Sequence, residues 1–65
     1  MYKLKEDVYL HFKNQKNAAY DMEISVGTLS RILNRKIGCS KALAFLIVKT
    51  YDESATVDLY FEKIK

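Results

Sequence analysis

The chain has 65 residues, of which 49% are hydrophobic and 29% charged, a balance that excludes a disordered tail or a multi-domain protein and points to one small globular domain spanning 1–65. A single cysteine, Cys39, excludes both an intrachain disulfide and a cysteine-built zinc site, and fits a reducing compartment. The net charge is +3, and the longest apolar run, Ala42 to Val48, falls far short of the roughly twenty residues that a membrane span needs, so no membrane role is expected.

The first residues, Met-Tyr-Lys-Leu-Lys-Glu-Asp, mix acids with bases and lead into no secretory apolar core, so a cytoplasmic location is expected. Leu4, Val8 and Phe12, with Tyr9 beside Val8, recur at spacings of three and four and predict a first helix over about 3–12. Asn14 is suited to cap a second helix whose inward residues are Ala18, Ala19 and Met22, the two alanines allowing another helix to cross closely. Ser25 is the next N-cap, ahead of Leu29, Ile32 and Leu33 at core spacing. Only Glu23-Ile24 separates this third helix from the second, so the two form a helix-turn-helix over about 14–34.

A loop follows over 34–39, after which Ser40 caps a fourth helix with Leu43, Ala44, Leu46, Ile47 and Tyr51 facing inward; being apolar on most sides, it is expected to be central. Asp52-Glu53-Ser54 precedes a last segment in which Val57, Tyr60, Phe61 and Ile64 fall at helical spacing. A fifth helix is the preferred reading. A strand, with Val57, Leu59 and Phe61 alternating against Asp58, Tyr60 and Glu62, is the alternative. No repeat, low-complexity stretch or proline interrupts the chain.

Charge is unevenly placed. All eight acids, Glu6, Asp7, Asp21, Glu23, Asp52, Glu53, Asp58 and Glu62, lie outside the interval 24–51, whereas Arg31, Arg35, Lys36, Lys41 and Lys49 lie inside it.

Gln15, Ala19, the turn Glu23-Ile24-Ser25, then Thr28-Leu29-Ser30-Arg31-Ile32 and Asn34 together resemble the helix-turn-helix repressors of the lambdoid-phage Cro and repressor type, over roughly residues 3–51. The final segment is similar to the closing helix of small phage regulators from Gram-positive hosts. This resemblance implies an all-α, compact five-helix lambda-repressor-like domain, a Cro-like repressor of a phage or mobile element. Members of the family bind palindromic operators on double-stranded DNA as homodimers, with no cofactor and no small-molecule substrate. One departure is evident: the family commonly places glycine at the turn position held here by Glu23, because that residue often takes a positive φ.

A recognition helix lies in the major groove with its N-terminal residues at base edges, which makes Val26, Gly27, Thr28, Ser30 and Arg31 the candidate base contacts. Arg31 suits guanine O6 and N7, Val26 the thymine methyl, and Gly27 a close approach to the bases. Asn14, Gln15 and Lys16, then Asn34, Arg35, Lys36 and Lys41, are the candidate phosphate contacts. Tyr60, Phe61 and Ile64 are the candidate dimer surface.

Blander roles stand beside these. Arg35-Lys36 would equally suit a solvated helix end, Arg31 a surface ion pair, although no acid lies three or four residues from it, Val26 a core staple, and Gly27 a mere weakness in the helix. His11 has no companion at metal-ligand spacing, Cys39 is expected to be a small buried filler, and the five tyrosines are expected mostly in the core or an interface, with Tyr20 alone also placed to touch the DNA backbone. Rival functions are a helix-turn-helix that binds protein, as in an antirepressor or an inhibitor of a host protein, and a DNA-bending accessory factor such as an excisionase. An enzyme is not expected, since no nucleophile–base pair, paired carboxylates or phosphate-cradling loop occurs.

Overall fold

The computed structural model describes residues 1–11 and 14–64, and among these the side chains other than those of Tyr9, Leu10 and His11. The expected roles of Phe12, of the Tyr9 side chain and of His11 therefore lie outside the described residues. In chain order the elements are strand β1 (Tyr2–Leu4), a 3-10 helix (Glu6–His11), α1 (Gln15–Met22), α2 (Val26–Leu33), α3 (Lys41–Tyr51), the single-turn α4 (Val57–Tyr60) and strand β2 (Phe61–Lys63). This corrects the all-α, five-helix expectation: among the described residues, four α-helices are accompanied by a two-stranded antiparallel sheet.

The sheet joins the two ends of the chain, pairing Tyr2 with Lys63, Lys3 with Glu62 and Leu4 with Phe61. Alternation along a strand sends Leu4 and Phe61 to one face, where both are buried, and sets a cation against an anion on the other. Backbone bonds extend the arrangement on both sides of β1. Tyr2 and Cys39 exchange N–H···O bonds of 2.7 Å, the Lys5 N–H donates to the Tyr60 carbonyl at 2.8 Å, and the Ile64 N–H donates to the Met1 carbonyl at 2.8 Å.

The helix expected over 3–12 is thus a strand followed by a 3-10 helix. Spacings of four within so short a window suit either conformation, and the extended form gives the backbone partners on both sides while burying Leu4 completely. The expected fifth helix is corrected for the same reason. Helix α4 stops after one turn and Phe61 becomes extended, because an isolated helix of this length is marginal in water, whereas pairing with β1 buries Phe61 and satisfies the backbone.

Helices α1 and α2 follow the sequence expectation closely, whereas α3 buries Val48, which was not expected, and exposes Leu46, which was expected inward. Ala18, Ala19 and Met22 of α1, Leu29, Ile32 and Leu33 of α2, and Ala44, Ile47 and Val48 of α3 form the core with Leu4, Cys39, Ala55 and Phe61. Ser25 Oγ accepts from the Thr28 N–H at 3.1 Å, and Ser40 Oγ accepts from the Leu43 N–H at 3.2 Å, as N-caps should. Asn14 differs. Its backbone is left-handed, its side chain makes no capping bond, and only its carbonyl serves the helix, accepting from the Ala18 N–H at 3.1 Å.

Helix α3 is one-sided and not central. Ala44, Ile47, Val48 and Tyr51 define its inward face, and at about 100° per residue Leu46 falls on the opposite side, exposed together with Phe45. Lys49 folds over the Phe45 ring, 5.4 Å from its centroid, and its ammonium donates to the carbonyls of Glu53 and Ala55 at 3.0 Å each, closing the C-terminal end of the helix. Beyond it, Asp52 accepts from the hydroxyls of Ser54 and Tyr60, bonds that hold its carboxyl below the usual aspartate range.

Candidate functional site

The turn between α1 and α2 is built by Glu23 and Ile24. Glu23 adopts φ 58° and ψ 38°; its N–H donates to the Tyr20 carbonyl and that of Ile24 to the Ala19 carbonyl, each at 3.1 Å. This is the double-bond closure that usually carries glycine at its left-handed residue. Ile24 is half-buried against the core beneath both helices. The strain at Glu23 is local and removable, so Glu23→Gly should raise stability by about 0.5–1 kcal/mol and the melting temperature by a few degrees. Thermal unfolding followed by circular dichroism measures it; a lower melting temperature would mean that the Glu23 side chain contributes more than its backbone costs.

Helix α2 divides sharply by face. Leu29, Ile32 and Leu33 are buried, while Val26, Gly27, Arg31 and Asn34 are exposed and Thr28 and Ser30 are half-exposed. Positions 26, 27, 30, 31 and 34 follow the steps i, i+1, i+4, i+5 and i+8, which place them along one side of a helix over two turns. Thr28 stands at the edge of this face, its hydroxyl held at 2.8 Å by the Ser25 hydroxyl, which donates to it. Val26 is therefore no core staple: it is 48% exposed. Nothing lies within 4 Å of a Cβ built on Gly27, and Gly27 has no positive φ, so the fold makes no demand for glycine there.

The other end of α2 closes in the same manner as α1. Arg35 takes φ 62°, its N–H donates to the Ile32 carbonyl at 3.1 Å, and the Lys36 N–H donates to the Arg31 carbonyl at 2.9 Å. The Arg35 side chain turns away from the exposed face of α2 toward the strand pair. Its Nε donates to the Leu4 carbonyl at 2.9 Å, and a terminal nitrogen lies 4.0 Å from the Glu62 carboxylate. Arg35, expected among the phosphate contacts, thus joins the end of α2 to the sheet. Its sequence position gave no sign of this, because both partners are supplied by distant ends of the chain.

Lys16, Lys36 and Lys41 are exposed, as are Asn14 and Asn34, and Gln15 is half-buried. Tyr20 is, among the described residues, the most exposed of the large hydrophobic side chains, at 83%, and shares a face of α1 with Lys16 one turn earlier. The i, i+4 relation of Lys16 to Tyr20, together with the inward Ala18, Ala19 and Met22, was the signal that Tyr20 points outward. At the proposed dimer surface, Phe61 is corrected to a core residue, 1% exposed. Tyr60 is half-buried, with its hydroxyl donating to Asp52 Oδ2 at 3.1 Å, and Ile64 is half-exposed.

Cys39 is buried, and burial pushes its thiol above the ordinary range, which suits a core filler and suppresses thiolate chemistry. A depression of about 240 Å³ lies between α1 and the C-terminal part of α3, lined among the described residues by Asn14, Asn17, Ala18, Asp21, Thr50 and Tyr51. The Thr50 hydroxyl there donates to the Leu46 carbonyl at 2.8 Å, so it is already engaged. Among the described residues no helix is long and apolar enough to cross a membrane. No protein-family model, curated protein or solved structure matches the chain, which leaves its own surface chemistry as the guide to what it does.

Proposed function

We propose that this protein binds double-stranded operator DNA through the exposed face of α2 and regulates transcription, acting as a Cro-like repressor where the operator overlaps a promoter. The observation that carries the proposal is the composition of that face. Val26, Gly27, Ser30, Arg31 and Asn34 offer a methyl surface, an open backbone, a guanidinium and short polar groups, with no acid between Ile24 and Tyr51 to repel a phosphate backbone. Lys16, exposed in the first turn of α1, and Lys36, exposed beyond the end of α2, are the cations suited to flanking phosphates.

Gly27 separates a structural from a functional origin for this face. Gly27→Ala should strengthen α2 by up to about 1 kcal/mol, raising the melting temperature, since no atom obstructs the added methyl. If α2 approaches base edges closely, the same substitution weakens DNA binding. Thermal unfolding and a DNA titration of the one variant give both signs, and a variant both more stable and fully competent to bind would remove Gly27 from the interface.

A second reading, that α2 docks on another protein, is favoured by the exposure of two apolar side chains, Tyr20 at 83% and Val26 at 48%. Selection of random duplexes by the purified protein, followed by fluorescence anisotropy at two salt concentrations, decides between them. An enriched palindrome with half-sites about one helical turn apart and steeply salt-dependent binding supports a DNA-binding dimer. The absence of enrichment at low salt supports the protein-binding reading.

A further inference from the structure

Ser30 and Asn34 stand one turn apart on the exposed face of α2, and their side chains are joined. Asn34 Nδ2 donates to the Ser30 carbonyl at 2.8 Å and to Ser30 Oγ at 3.1 Å. A backbone carbonyl is an acceptor only, so the carboxamide has one chemically sensible orientation: the NH2 end faces Ser30 and Oδ1 faces away from it. Both bonds that the amino group makes go to Ser30. Asn34 is exposed, and among the described residues its Oδ1 accepts no hydrogen bond. The helix therefore presents a fixed hydrogen-bond acceptor at the centre of its outward face, between the directions of Val26 and Arg31.

That polarity disagrees with a phosphate contact. A phosphate oxygen is itself an acceptor, and an outward Oδ1 gains nothing from it, whereas the amino group that could have bound it is turned toward Ser30. In the major groove, the base-edge donors are the exocyclic amino groups, N4 of cytosine and N6 of adenine. In homeodomains the base-contacting residues of the recognition helix span about two turns, and Asn34, the residue that ends α2, lies about two turns beyond Val26. We propose that Asn34 is a specificity-determining residue, preset by Ser30 to accept a hydrogen bond from a cytosine or adenine amino group, and not a phosphate contact. The inference rests on the DNA-binding reading above.

The test selects duplexes with the unaltered protein and with Asn34→Ala, then titrates both proteins against the preferred duplex and its single-base-pair variants. Asn34→Ala is expected to lose preference at one base pair, binding the preferred duplex roughly 3- to 10-fold more weakly while binding duplexes altered at that pair as the unaltered protein does, as the loss of one neutral hydrogen bond requires. The identity of the base at that pair distinguishes cytosine from adenine. A second measurement needs no protein variant: replacing that base's amino group by hydrogen should weaken the unaltered protein by a similar factor. Equal weakening on every duplex, or indifference to loss of the amino group, would overturn the assignment while leaving DNA binding intact. Failure of the unaltered protein to select any duplex would overturn both.

Discussion

Phe61→Ala is expected to destabilise the protein by about 3–5 kcal/mol, the usual range for emptying a buried aromatic site. Domains have roughly 5–15 kcal/mol in total, and one of 65 residues belongs toward the lower end, so the variant should be largely unfolded at ordinary temperatures. The magnitude follows from location. Phe61 is 1% exposed, stands directly opposite the fully buried Leu4, and is among the largest of the closed core side chains. Urea titration followed by circular dichroism measures the loss, with Leu59→Ala as a matched control at a side chain that is 59% exposed and should change stability by less than about 0.5 kcal/mol. Equal midpoints for the two variants would mean that the pairing of the chain ends contributes nothing to the fold. Should the loss occur as expected, weakened DNA binding by Phe61→Ala would report on folding and carry no information about the site.

Arg31→Ala should produce the largest change in DNA recognition at little cost in stability. Arg31 is exposed on the outer face of α2, and no acid lies three or four residues from it along the helix, so its removal breaks no helical ion pair. A bidentate contact to guanine discriminates by about 1–3 kcal/mol, and the variant should therefore lose roughly 5- to 150-fold on the preferred duplex and little on duplexes altered at the contacted pair. Lys36→Ala supplies the contrast. A phosphate contact carries no sequence information, so this variant should weaken all duplexes alike and reduce the slope of log K against log salt by about one. Identical effects of the two substitutions across a panel of duplexes would refute the division between base and phosphate contacts.

Arg35 would behave unlike either. Its guanidinium serves the Leu4 carbonyl and the neighbourhood of Glu62, so it holds the end of α2 against the sheet. Two residues at the same end of α2 that the sequence offered as phosphate contacts, Arg35 and Asn34, are thus engaged within the protein for different reasons. One is drawn inward by partners from the chain ends, and the other is oriented by its own helix.

The amino-acid sequence alone determined the middle of this protein. The spacing of Ala18, Ala19 and Met22, of Leu29, Ile32 and Leu33, and the N-caps Ser25 and Ser40 act over three or four residues, and each acts in the folded chain as those distances require. The spacing also required a tight turn at Glu23-Ile24, whereas the left-handed backbone of Glu23 was an expectation of the family resemblance alone. The exposed face of α2 follows from its buried one.

The ends were decided only by tertiary structure. Leu4 and Phe61 suit a helical stripe or a strand equally within their own segments, and neither segment contains the partner that settles the choice. Strand pairing between residues 2–4 and 61–63 spans nearly the whole chain, and its free energy comes from burying one residue of each end against the other while backbone bonds flank the pair from Tyr2 to Cys39, Lys5 to Tyr60 and Ile64 to Met1. The same long reach placed the Arg35 side chain and made Phe61 core. Local periodicity states which residues could be buried; which of them meet is settled when distant segments compete to cover one small core.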